Sequence, residues 1–141
     1  MFWFCAVIGV VIVSHGNLGL SLAESAEMIL EEKNDIFAVS ISSVSDNAEV
    51  FRKNILEAID RADTGSGVIV FTDLFGGTPC NLAISAFGVK NIEIIAGVNL
   101  PMVLKLLNLR NQNKDISIKE AVNCVETAGK KQISIVSEII K

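Results

Sequence analysis

The chain has a single histidine, His15, no tyrosine, one tryptophan and three cysteines among 141 residues. Each shortage excludes something. One imidazole and three scattered thiols (Cys5, Cys80 and Cys124, with no Cys-x-x-Cys pair) do not make a zinc set, so no metal is expected. The odd cysteine count also argues against a disulfide framework and for a reducing cytoplasm. Cys80 reads as a small buried side chain rather than a reactive thiol. A dinucleotide fingerprint, a Walker loop and a Gly-x-Ser-x-Gly elbow are all absent, so no cofactor is implied and Ser14 is not a hydrolase nucleophile. The net charge is −4 and the lysines do not cluster, which leaves no basic surface for nucleic acid.

No long membrane segment is present either. Met1–Val13 is apolar or glycine throughout, but it falls short of the roughly 20 residues that a spanning helix needs. It also lacks the basic start and cleavage site of a signal peptide. Direct membrane insertion is therefore not expected. Val7–Val13 reads as a buried strand, Met1–Ala6 as an N-terminal extension, and residues 7–141 as one domain.

What the chain does have is aliphatic. Half its residues are hydrophobic and only 6% aromatic, with mean hydropathy +0.50. That usage suits a parallel sheet covered on both faces. Strand and helix signals alternate: a helix over Leu18–Glu32, a strand over Ile36–Ser42, and a helix capped by Asp46 with Phe51, Ile55, Ala58, Ile59 and Ala62 on its core face. A strand over Val68–Thr72 follows, then a helix with Thr78 as cap and Pro79 in its first turn, reaching about Phe87. Next come a strand over Ile92–Ala96, a helix ending near Asn108, a polar connection Arg110–Asp115, a helix over Ser117–Thr127, and a final strand over Lys131–Ile140. This order specifies an α/β three-layer sandwich with a mainly parallel sheet.

The chemistry gathers at the strand ends. Open α/β sheets bind ligands outside the carboxyl ends of their strands, where strand order reverses. In a 2-1-3-4 order that point lies between the first and third strands, which end in Ser14-His15-Gly16 and Asp73. A carboxylate accepting from Nδ1–H fixes the imidazole tautomer and frees Nε2 to act as base or nucleophile. Gly76-Gly77-Thr78-Pro79 adds a flexible backbone at a helix start, a cradle suited to a phosphoryl group. The competing readings are structural: His15 as a satisfied histidine at a strand end, Asp73 as a turn residue, and Gly97-Val98-Asn99-Leu100-Pro101 as loop geometry or a pocket wall.

Three strings together, Val11-Ile12-Val13-Ser14-His15-Gly16, Asp73 through Gly76-Gly77-Thr78-Pro79-Cys80-Asn81, and Ala96-Gly97-Val98-Asn99-Leu100-Pro101-Met102, resemble the mannose-family enzyme IIA domain of the bacterial sugar phosphotransferase system. The resemblance runs from about Ile8 to the C-terminus. It implies that His15 accepts a phosphoryl group at Nε2 from the carrier HPr and passes it to an enzyme IIB, with Asp73 orienting the ring. It implies further that Gly76, Gly77 and Thr78 hold the phosphoryl oxygens. A homodimer follows too, in which the strand around Ile133–Ile139 crosses to the partner's sheet. Because the chain stops at Lys141 without a IIB domain, a separate acceptor is expected. Two alternatives stand beside it: a regulatory sensor of phosphorylation state, and the phosphoryl-donor subunit of a dihydroxyacetone kinase. A receiver domain fits poorly, since strand one ends in Ser-His where acidic metal ligands would be needed.

Overall fold

The computed structural model describes residues 6–42 and 47–141. Four strands, β1 (Gly9–His15), β2 (Ile36–Ile41), β3 (Val68–Thr72) and β4 (Ile92–Ala96), alternate with helices α1 (Leu18–Leu30), α2 (Ala48–Ala62), α3 (Thr78–Ile84) and α4 (Leu100–Gln112). Two further helices, α5 (Ile118–Lys131) and the short α6 (Val136–Ile139), complete the chain. The strands form one parallel sheet in the order β2-β1-β3-β4, as expected from the sequence. Right-handed crossovers of this kind place helices on both faces.

Strand alternation divides the core into two. Val10, Ile12, Ile69 and Phe71 point toward α1, α4 and α5; Val11, Val13, Val68 and Val70 point toward α2 and α3. All eight are 0% exposed, so β1 and β3 are sealed on both faces and carry no polar residue before their ends. Each such side chain contributes roughly 1.5–3 kcal/mol relative to exposure. The carboxyl ends of these two sealed central strands hold the candidate site.

Several boundaries differ from expectation for identifiable reasons. β1 starts at Gly9 rather than Val7, because Val7 is tied to Thr64 instead: its amide donates to Thr64 Oγ1 and its carbonyl accepts from the same hydroxyl, both at 3.0 Å. The expected cap Asp46 and residues 1–5 of the N-terminal extension lie outside the described residues. At the start of α2, Asn47 Oδ1 accepts from the Glu49 amide at 3.0 Å. Beyond Ile84, α3 tightens into three-residue turns that reach Phe87. α4 continues through Gln112, so Arg110 does not open a polar connection. Its guanidinium is buried and donates to the Ile8 carbonyl at 3.0 Å and to Asn34 Oδ1 at 3.4 Å.

The largest difference is at the C-terminus. The expected strand over Lys131–Ile140 is not a strand in the single chain: α5 runs to Lys131, and residues 136–139 form α6. Ile133, Ile135, Val136, Ile139 and Ile140 are 62–80% exposed. β-branched side chains favour extended backbone only where a neighbouring strand receives them, and among the described residues β4, at the sheet edge, pairs only with β3. Among the described residues, no helix is long and apolar enough to cross a membrane.

Candidate active site

β1 and β3 are paired in register up to Val13 and Thr72, so the residues that follow emerge side by side. His15 is the last residue of β1 and Asp73 the first after β3. The imidazole Nδ1 lies 2.6 Å from Asp73 Oδ2. The same oxygen accepts from the His15 backbone amide at 2.8 Å, and Oδ1 accepts from the Leu74 amide at 2.9 Å. One carboxylate therefore grips the histidine by both its ring and its backbone. Since a carboxylate only accepts, Nδ1 carries the proton, and Nε2 of the neutral ring keeps a free lone pair.

Exposure separates the two partners: the Asp73 side chain is 7% exposed, that of His15 49%. Burial pushes the Asp73 carboxyl up, but hydrogen bonds from the His15 amide and ring and from the Leu74 amide, with the charge on His15, hold it below the usual aspartate value. Asp73 thus remains an anion across the neutral range, fixed behind a ring that faces outward. Such a pair can support either proton transfer or nucleophilic attack at Nε2.

The glycine-rich loop closes the other side. Gly76 has φ +85°, a left-handed conformation that glycine adopts without strain. A Cβ on Gly77 would stand 3.1 Å from His15 Cε1 and 3.4 Å from Leu74 Cγ. Glycine there lets the backbone lie against the imidazole next to Nε2. The structure corrects one detail of this loop: Thr78 is not the cap of α3. Gly77 holds that position in extended conformation, Thr78 starts the helix, and Pro79 is its second residue. The Thr78 side chain is exposed, and the first-turn amides of a helix have no intrahelical acceptor.

The remaining candidates prove structural. Ser14 is 1% exposed, and its Oγ accepts from the Gly19 amide at 2.9 Å. It therefore clips the turn into α1 rather than offering a nucleophile. In the Gly97–Pro101 string, Asn99 Oδ1 caps α4 at the Met102 amide (3.1 Å), while its Nδ2 donates to Gly129 at 3.3 Å. Cys80 is buried at 2% exposure. Among the described residues no group of three or more His, Cys, Asp or Glu side chains is arranged to hold a metal ion. The hidden role of Ser14 had one sequence signal, a hydroxyl residue just ahead of a Gly-rich helix start; that of Arg110 had none.

Comparison with known proteins bears on the whole domain. Residues 9–126 match the family pattern described as the PTS system fructose IIA component, where PTS denotes the phosphotransferase system. The fructose-specific EIIA component of Bacillus subtilis is 29% identical over 133 residues, covering 94% of this chain and 88% of that protein. The mannose-specific EIIAB component of Escherichia coli is 32% identical over 127 residues, covering 89% of this chain but 38% of that longer protein. Among solved structures, phosphotransferase system component EIIA from Streptococcus agalactiae superposes with a TM-score of 0.80 at 23% identity, covering 93% of this chain and 98% of that one. That likeness speaks for the fold, and the sequence match speaks for the lineage. The chain belongs to the mannose/fructose/sorbose-type enzyme IIA family of the phosphotransferase system, whose members are phosphotransferase components.

Proposed function

We propose that the protein is a phosphohistidine carrier, with His15 Nε2 as the acceptor atom. The observation that carries this reading is the 2.6 Å contact between Nδ1 and Asp73 Oδ2, which leaves Nε2 as the free nitrogen. In the transfer, the N–P bond to the donor's imidazole breaks and its electron pair returns to that ring. The Nε2 lone pair forms the new N–P bond, and the Nδ1 proton stays against Asp73, which offsets the charge developing on the ring. Gly76 and Gly77 bring backbone amides to the phosphoryl oxygens, and Thr78 adds its amide and hydroxyl. Phosphoryl transfer depends mostly on positioning and charge stabilisation, which is what a fixed carboxylate and an amide-lined loop provide.

The donor in this proposal is phosphorylated HPr and the acceptor an enzyme IIB, in the cytoplasm. The mannose-specific relative is named an EIIAB component, which supports a IIB as the next station. The active form is a homodimer in which the exposed apolar segment after Gln132 of each copy covers the open edge of the partner's β4. Incubation with phosphoenolpyruvate, enzyme I and HPr should add one acid-labile, base-stable phosphoryl group per chain, absent in His15→Ala. Acid-stable label, or label that persists in that variant, would contradict the carrier reading.

A further inference from the structure

The groove between α4 and α5 is lined by nothing that the chemistry at His15 uses. Leu104, Lys105 and Asn108 fall on one face of α4, and Thr127, Ala128 and Lys131 on one face of α5, both sets at the same helical spacing. The opposite faces of these helices bury Met102, Leu106, Ala121 and Val125 in the core. Between the outward faces lies a cavity of about 700 Å³, within the roughly 300–1,000 Å³ of sites that take small molecules. Its α5 wall is made mainly of short side chains, Cys124, Thr127 and Ala128, which leaves that volume open. Leu104 and Ala128 are half-buried, whereas Lys105, Thr127 and Lys131 are exposed, so an apolar floor is framed by a polar rim.

The charge on that rim is one-sided. The chain as a whole carries −4, yet the lining holds Lys105 and Lys131 and no carboxylate. Among the described residues neither of these lysines has an ion-pair partner, while Lys53, Lys90, Lys119 and Lys130 each have one. We propose that the α4–α5 groove binds a small amphipathic organic anion, an acid group carried on an apolar body. The body covers Leu104 and Ala128, where removal of apolar surface from water drives binding. The acid group meets Lys105 and Lys131 at the rim. A cation would be repelled there, and a neutral ligand would gain nothing from the two charges. His15, Asp73 and residues 76–78 take no part in the lining, so the proposal stands independently of the carrier reading.

Cys124 lines the groove and is exposed, while Cys80 is buried, so alkylation of Cys124 reports occupancy. On the intact protein, 1-naphthylacetate should protect Cys124 from iodoacetamide in a saturable way, read by mass spectrometry of the Cys124 peptide. Its neutral analogue of the same shape, 1-naphthylacetamide, should need about fivefold more for equal protection. In the double variant Lys105→Gln/Lys131→Gln the midpoint for the acid should rise about fivefold, to that of the amide, while the amide's own midpoint stays where it was. Equal protection by acid and amide in the wild type, or an unshifted acid midpoint in the double variant, would overturn the anion site. Absence of protection by the acid would overturn it too. So would a Cys124 as inert as Cys80 in the free protein, which would show the groove already covered by another part of the molecule.

Discussion

Asp73 Oδ2 accepts two hydrogen bonds from one residue, the His15 amide and the His15 ring, so the orientation of the imidazole is set by the backbone as well as by the side chain. The carboxyl is held below the ordinary aspartate value of 3.8, and this fixes the sign of a pH effect. A depressed folded-state pKa contributes stability that is fully present above the unfolded value and is lost as pH falls through the folded one. Wild-type protein should therefore lose urea resistance more steeply below about pH 4 than Asp73→Asn does, and the variant should also be phosphorylated more slowly at neutral pH. Parallel pH profiles of the urea midpoint would show that the pair carries no such linkage. At this scale the sequence was informative: His15 and Asp73 were legible because each stands just past the end of a buried apolar run. The capping of α3 was not, because Gly77 and Thr78 both suit a helix start, and only the loop's path against the imidazole puts Gly77 in the cap position.

Elements were legible where both faces of a strand are buried. Val10–Val13 and Val68–Phe71 announce β1 and β3 with no competing pattern. Helix ends were less so. Arg110 looked like the beginning of a loop, yet its guanidinium reaches the Ile8 carbonyl across the core face, a long-range bond that local patterning does not encode. Asn99 was read as loop geometry or pocket wall; it is a cap whose side chain also binds α4 to the end of α5. Asn99→Ala removes both bonds, and a loss of about 1–2 kcal/mol in unfolding free energy is expected from cap removal alone. Equilibrium urea denaturation measures it. A change within a few tenths of a kcal/mol would mean that the bonds carry little weight.

For the whole molecule, the C-terminal segment reads as an exchanged strand because Ile133, Ile135, Val136, Ile139 and Ile140 have strand composition, whereas in the single chain residues 136–139 form the short helix α6. In the single chain they stay exposed. The homodimer exchange proposed above would account for both the composition and the exposure. Light scattering should find the intact chain dimeric and a chain ending at Gln132 monomeric, with the far-UV circular dichroism of the core retained. A monomeric intact chain, or a truncated chain that still dimerises, would remove the exchange.

The central claim is that Nε2 of His15 accepts the phosphoryl group while Nδ1 keeps its proton against Asp73. With one histidine in the chain, a long-range proton–nitrogen spectrum contains a single imidazole, so no assignment is needed. On treatment with phosphoenolpyruvate, enzyme I and HPr, that spectrum should show phosphorus coupling at Nε2 and a protonated Nδ1. Phosphorus coupling at Nδ1, or a ring unchanged by the donors, would contradict it.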